Sequence, residues 1–197
     1  MLAMILDCGI GNLHSLTRGL QSAGFRVRVE READAALDAE LLVLPGVGAW
    51  TVASSRIASV RESLRARLAD GLPCLAICLG MQLLLKDSAE GSGEGIGLVA
   101  GSVTKLGARR VPHTGWNAVE SGDALLRDAA LRVAYFTHNF ACRPPDPSTV
   151  IAWTSHDSDR FPAAIQIGRT LGVQFHAEKS SREDIGLLRR FGAEVAA

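Results

Sequence analysis

The sequence predicts an α/β fold: an open mixed sheet with a mostly parallel core, antiparallel additions, and helices on both faces. Three observations predict it. In the first half, short apolar strands alternate with helical segments, the pattern of parallel strands joined by crossover helices. In the second half, short candidate strands follow one another between turn residues, which suits antiparallel additions. The chain has 197 residues, of which 47% are hydrophobic, enough to bury one sizeable core, so residues 1–197 are expected to form a single domain.

The elements follow in order. Residues 2–6 read as the first strand. Gly9-Ile10-Gly11-Asn12 is a turn, and Asn12 is placed to cap a helix running to about Ala23 with Leu13, Leu16 and Leu20 on one face. Gly24 ends that helix, and residues 25–30 alternate like a short strand. Residues 41–44 are a fully apolar strand stopping at Pro45-Gly46-Val47-Gly48. A helix is expected over residues 50–70, ended by Gly71. Residues 73–77 form a strand that enters a sharp turn at Cys78, followed by an apolar helix. Further short strands are expected at 96–99, 102–105, 116–119, 133–136, 150–152, 163–167 and 172–175. A last helix spans roughly 181–193. Pro144-Pro145-Asp146-Pro147 reads as a surface turn.

Charge and composition narrow the function. Lys+Arg and Asp+Glu are both 21, so nothing favours electrostatic binding to nucleic acid or an acidic membrane surface. The longest apolar run, 74–85, is too short to span a bilayer, and the N-terminus lacks the basic leader of a signal peptide. Cys8, Cys74, Cys78 and Cys142 form no Cys-x-x-Cys pair, which points to a reduced, cytoplasmic protein. His14, His113 and His156 show no metal-ligand spacing; no metal or organic cofactor is expected.

The chemistry centres on Cys78. Small residues flank it at Ala76 and Gly80, as a nucleophile elbow requires if the chain is to bend tightly and present one reactive side chain. The helix that follows aims its free N–H groups at the sulfur and favours the thiolate. His176 ends an apolar strand, where open α/β sheets place their sites. It is the best-placed base, and with extended geometry Glu178 lies on the same side to orient its ring. Pro45-Gly46-Val47-Gly48 also follows a strand, and its glycines let N–H groups approach a developing oxyanion beside the N–H of Leu79. One such donor is worth about 10²- to 10³-fold in rate. Taken singly, each motif has a plainer reading. Cys78 suits a packed core thiol, His176 and Glu178 a strand-end pair, and Pro-Gly-x-Gly an ordinary loop. A thiol redox sensor and a silent binding subunit remain alternatives, but neither needs a proton shuttle.

The motifs together resemble the class I (triad) glutamine amidotransferases, a flavodoxin-like family, and within them the glutaminase subunits of imidazole glycerol phosphate synthase. The resemblance runs through Asp7-Cys8-Gly9-Ile10-Gly11-Asn12-Leu13, Pro45-Gly46-Val47-Gly48-Ala49, Ile77-Cys78-Leu79-Gly80-Met81-Gln82, Pro112-His113-Thr114-Gly115-Trp116-Asn117, Tyr135-Phe136-Thr137-His138-Asn139-Phe140 and Gly172-Val173-Gln174-Phe175-His176-Ala177-Glu178-Lys179-Ser180. It implies hydrolysis of L-glutamine by a Cys78–His176–Glu178 triad, with Gly46, Val47 and Leu79 at the oxyanion hole. A peptide flip near Gly46-Val47 would switch that hole, so Val47→Pro would abolish activity. It further implies Gln82, Glu90, His138 and Asn139 at the substrate, and Asn12, Trp116 and Lys179 facing a (β/α)₈ cyclase subunit in a heterodimer. The same resemblance admits a glutaminase subunit serving another ammonia-using synthase. The chain departs from the family pattern at Cys8, Ala76, Thr114, Asn139 and Ala177, where the family has tyrosine, glycine, methionine, a hydroxyl residue and proline.

Overall fold

The computed structural model describes residues 1–9, 12–46, 48–179 and 182–197. Ile10 and Gly11 of the expected first turn, Val47, Ser180, and Ser181 at the expected start of the last helix lie outside the described residues. In chain order the elements are β1 (Leu2–Leu6), α1 (Leu13–Ser22), β2 (Arg26–Glu30), β3 (Leu41–Leu44), α2 (Trp50–Ile57), α3 (Arg61–Ala69), β4 (Cys74–Ile77), α4 (Leu79–Leu83), β5 (Asp87–Ser88) and β6 (Ser102–Lys105). Then come β7 (His113–Ala118), α5 (Ala124–Asp128), β8 (Val133–His138), β9 (Phe140–Arg143), β10 (Val150–His156), β11 (Asp159–Ile167), β12 (Thr170–Val173) and α6 (Arg182–Ala196).

The main sheet has seven strands in the order β10-β11-β12-β4-β3-β1-β2. The ladders among β12, β4, β3, β1 and β2 are parallel, and β11 joins β12 and β10 through antiparallel ladders. Two smaller sheets complete the fold: β5-β6-β9, in which β5 runs parallel and β9 antiparallel to β6, and the antiparallel β7-β8 hairpin.

Strand alternation sends each second residue to the opposite face. Ala3, Ile5, Leu41, Val43, Leu75 and Ile77 face one core cluster, with Leu16 and Leu20 of α1 and Leu187, Leu188 and Phe191 of α6. Met4, Leu6, Leu42, Leu44, Cys74 and Ala76 face the other, with Trp50, Ala53 and Ile57 of α2 and Leu64 and Leu68 of α3. Each fully buried leucine or isoleucine contributes about 1.5–3 kcal/mol, so both faces hold their helices firmly.

Two sequence expectations need correction. The helix expected over 50–70 is two helices, because the chain leaves helical geometry at Val60 (φ −112°, ψ 0°). Buried Ala53, Ile57, Val60, Leu64 and Leu68 keep a helical spacing across the break, and no side-chain cap marks it. Residues 96–99 form no strand. Instead the N–H groups of Ile96 and Val99 donate to the carbonyls of Leu83 and Leu84, which cap the end of α4. The helix after Cys78 has only five residues for that reason.

Candidate active site

The sheet order puts the C-terminal ends of β12, β4 and β3 side by side. Register makes them level: Leu44 pairs with Ala76, and Val173 with Ile77. Cys78 stands just past the end of β4 with φ +49° and ψ −106°, in a region that non-glycine residues rarely occupy. Its N–H donates to the Val173 carbonyl at 2.7 Å, and its carbonyl accepts from Gln82 at 3.1 Å, so the strained turn is held from both sides. Gly80 is needed for the bend, because a Cβ there would lie 2.3 Å from the Leu44 carbonyl oxygen. Gly46 is also tightly placed: a Cβ would lie 2.9 Å from the Ile77 carbonyl oxygen and 3.0 Å from Cys78 Cβ. Gly48, at φ +130°, takes a backbone conformation that favours glycine.

A cavity of about 260 Å³ opens at this point, lined by Gly46, Gly48, Cys78, Leu79, Gln82, Glu90, Thr137, His138, Asn139 and Phe140. The structure therefore brings together Cys78, Gly46, Leu79, Gln82, Glu90, His138 and Asn139 of the expected site. Val47 lies outside the described residues. Burial raises the Glu90 carboxyl from its ordinary value, partly offset by a hydrogen bond from the Trp50 N–H.

His176 is buried, and its Nδ1 lies 2.7 Å from Glu178 Oε1. The pair meets by a different route from the expected one. β12 ends at Val173, and residues 177–179 form a 3₁₀ turn that folds Glu178 back onto the ring. Ala177 in place of a proline does not prevent this. The Tyr135 carbonyl on β8 accepts the His176 N–H at 2.9 Å and ties the hairpin to the turn. His176 Nε2 is buried, and the Cys78 sulfur is the leading influence that raises the ring. Burial alone would lower the imidazole. The sulfur and the Glu178 carboxylate, as acceptors and negative charges, outweigh burial and push His176 up to about 10.

Burial disfavours the thiolate at the other three cysteines. Burial pushes Cys8 up to about 11 and moves Cys74 and Cys142 further in the same direction. All four cysteines are free, and Cys74 packs in the opposite core cluster from Cys78 because the elbow turns Cys78 out of the strand's alternation.

The sequence reading missed Gln174. Its side chain is fully buried and donates from Nε2 to Cys78 Sγ at 3.4 Å. The one signal for it was its position two residues before His176. His113 is buried and its Nδ1 lies 3.1 Å from His138 Nε2.

The residues expected to face a partner lie elsewhere. Trp116 is 54% exposed and meets Tyr135 edge to face at 5.7 Å. Lys179 Nζ sits 5.2 Å over the same Tyr135 ring, so these two form one surface patch. Asn12 is exposed and caps α1 by accepting the Ser15 N–H at 3.1 Å. Among the described residues no group of three or more His, Cys, Asp or Glu is placed to hold a metal ion. No helix among them is long and apolar enough to cross a membrane.

A cysteine at a sharp elbow past the end of a central parallel strand, with a His–Glu pair beyond the next strand end, has the arrangement of a thiol-nucleophile site. The chain belongs to the Glutamine amidotransferase class-I family, which matches residues 4–195. Within that family it is 40% identical over 95% of its length to the imidazole glycerol phosphate synthase subunit HisH of Mycolicibacterium paratuberculosis, covering 95% of that protein. It is 38% identical to the HisH subunit of Halobacterium salinarum, over 95% of this chain and 91% of the relative. The HisH subunit of Synechocystis is 36% identical over 98% of this chain and 96% of the relative. Among solved structures, a glutamine amidotransferase superposes with a TM-score of 0.76 at 18% identity, covering 99% of both chains. A glutamine amidotransferase from Thermotoga maritima gives 0.67 at 16% identity, over 98% of this chain and 96% of that one. Both share the α/β fold.

Proposed function

We propose that this chain is the glutaminase subunit of an imidazole glycerol phosphate synthase. The observation that carries the chemistry is Cys78, held at a strained elbow on the wall of a cavity, with His176 raised by the sulfur on one side and Glu178 on the other. The likeness to HisH subunits supports the choice of synthase.

In this reading the Cys78 proton passes to His176 Nε2, and Sγ attacks the side-chain amide carbon of glutamine. The oxyanion forms beside Leu79 and the Gly46–Gly48 loop. As the C–N bond breaks, the imidazolium gives its proton to the departing ammonia, leaving a glutamyl thioester. Water, deprotonated by His176, then releases glutamate and returns the sulfur. Glu178 keeps the ring in the tautomer that presents Nε2 to the reaction. Glu90 receives the substrate's α-ammonium, and His138 and Asn139 lie at its backbone end. Ammonia passes to a cyclase subunit in a heterodimer, with Asn12, Trp116 and Lys179 on the contact face. That subunit makes imidazole glycerol phosphate and an aminoimidazole carboxamide ribonucleotide. Work in the cytoplasm suits four free thiols.

Glutamate release from glutamine tests this, with the chain alone, with a cyclase subunit carrying its nucleotide ligand, and with Cys78→Ala. Low activity alone, strong stimulation by the loaded cyclase and no activity in Cys78→Ala are expected. Turnover without stimulation would point to another synthase, and no turnover under any condition would overturn the glutaminase assignment.

A further inference from the structure

Hydrogen bonding fixes which end of the Gln174 amide faces the sulfur. A backbone carbonyl only accepts hydrogen bonds. The Phe140 carbonyl lies 2.9 Å from Gln82 Nε2, so Gln82 turns its NH₂ group toward it. The same NH₂ group lies 3.2 Å from Gln174, whose oxygen must therefore be the acceptor. That leaves the Gln174 NH₂ group facing Cys78 Sγ at 3.4 Å.

The arrangement extends in the other direction. The Phe140 carbonyl also receives His138 Nδ1 at 2.9 Å, so His138 carries its proton there. His138 Nε2 then accepts from His113 Nδ1 at 3.1 Å, and His113 Nε2 accepts from Asn117 Nδ2 at 3.2 Å. One connected set of hydrogen bonds thus joins β7, the cavity wall, Gln82, Gln174 and the sulfur.

A buried N–H aimed at sulfur bonds weakly to a thiol and strongly to a thiolate, because charge-assisted bonds are about twice as strong as neutral ones. We infer that Gln174 is a further catalytic residue whose amide N–H stabilises the Cys78 thiolate, and that Gln82 is the positioning residue that fixes which end of that amide faces the sulfur. Gln174 transfers no proton: the sulfur's proton goes to His176. Its bond weakens as the S–C bond forms and charge leaves sulfur. It re-forms when the thioester breaks and the electron pair returns. The catalytic part of this role rests on the glutaminase reading, whereas the effect on the thiolate does not.

Iodoacetamide alkylation of the full-length chain, with Cys78 modification followed by peptide mass between pH 6 and pH 9, separates the two. The other three thiols are buried and held protonated by that burial. Gln174→Met keeps the volume and removes the donor, while Gln174→Glu keeps the shape and substitutes an acceptor. The pH profile of Cys78 alkylation is expected to move up by about one pH unit in Gln174→Met, with a roughly tenfold lower rate at pH 7, and further in Gln174→Glu. Gln82→Met, which frees the Gln174 amide without touching the sulfur, is expected to move it the same way by a smaller step. With the loaded cyclase, Gln174→Met is expected to lower kcat for glutamate release about tenfold and leave KM within about twofold. An unmoved alkylation profile in the variants that fold overturns the proposal. Loss of glutamate release in the unsubstituted chain, with the profile still shifting in Gln174→Met, overturns the glutaminase reading instead.

Discussion

Cys78 is the point where backbone strain and chemistry coincide. Its φ of +49° costs of order 1–3 kcal/mol for a residue with a Cβ, and flanking Ala76 and Gly80 leave room for the bend. This makes a stability prediction independent of activity. Cys78→Ala and Cys78→Gly both remove the sulfur, but only glycine takes this conformation without strain. Cys78→Gly is therefore expected to be more stable than Cys78→Ala by about 1 kcal/mol in urea unfolding. Equal midpoints would mean the elbow is unstrained. The residue types at this site, Cys, His, Glu and the small neighbours, were legible in the sequence because each has a chemical reason to be there. Gln174 was not: an amide two positions from a base carries no signal until packing shows what it faces.

At the scale of elements, the β7–β8 hairpin is the part whose role the sequence hid most. It carries His113 and His138 and, through the Tyr135 carbonyl, holds His176. Burial is the leading cause that lowers both hairpin histidines, His113 to about 4 and His138 to about 3. His156, stacked on His113 at 4.2 Å, pushes both the same way, and His176 adds to the effect on His138. Both are neutral in the folded chain at pH 7. Between about pH 6.5 and pH 4 the unfolded chain binds protons at these histidines that the folded chain refuses, so stability falls as pH falls. His113→Gln is expected to flatten that decline by up to about 1.4 kcal/mol per pH unit, read as the difference between the two urea-unfolding profiles from pH 7 to pH 4. Parallel profiles would contradict the depressed value. Strand periodicity located β8 and the main sheet, and the second half of β7. It missed β5, with two residues, β9, with four, and α5, with five, because so short a segment holds no period. The break between α2 and α3 was hidden for the opposite reason, since the apolar spacing runs through it in phase.

For the whole molecule, the parallel core was readable from alternating apolar strands, and the convergence of three strand ends followed from it. What no local pattern supplies is register across the sheet. Gly46 lies against Cys78 only because β3 pairs with β4 at Leu44–Ala76, and Gln174 reaches the sulfur only because β12 pairs at Val173–Ile77. The same order leaves Trp116 and Lys179 exposed around Tyr135, next to the strand that ties down His176. Whether Cys78 carries the glutamyl group is read from the mass of the chain quenched in acid during turnover of glutamine with the loaded cyclase. A glutamyl adduct confined to the peptide containing Cys78, and absent from Cys78→Ala, is expected. Steady turnover with an adduct on another residue, or turnover retained in Cys78→Ala, would contradict it.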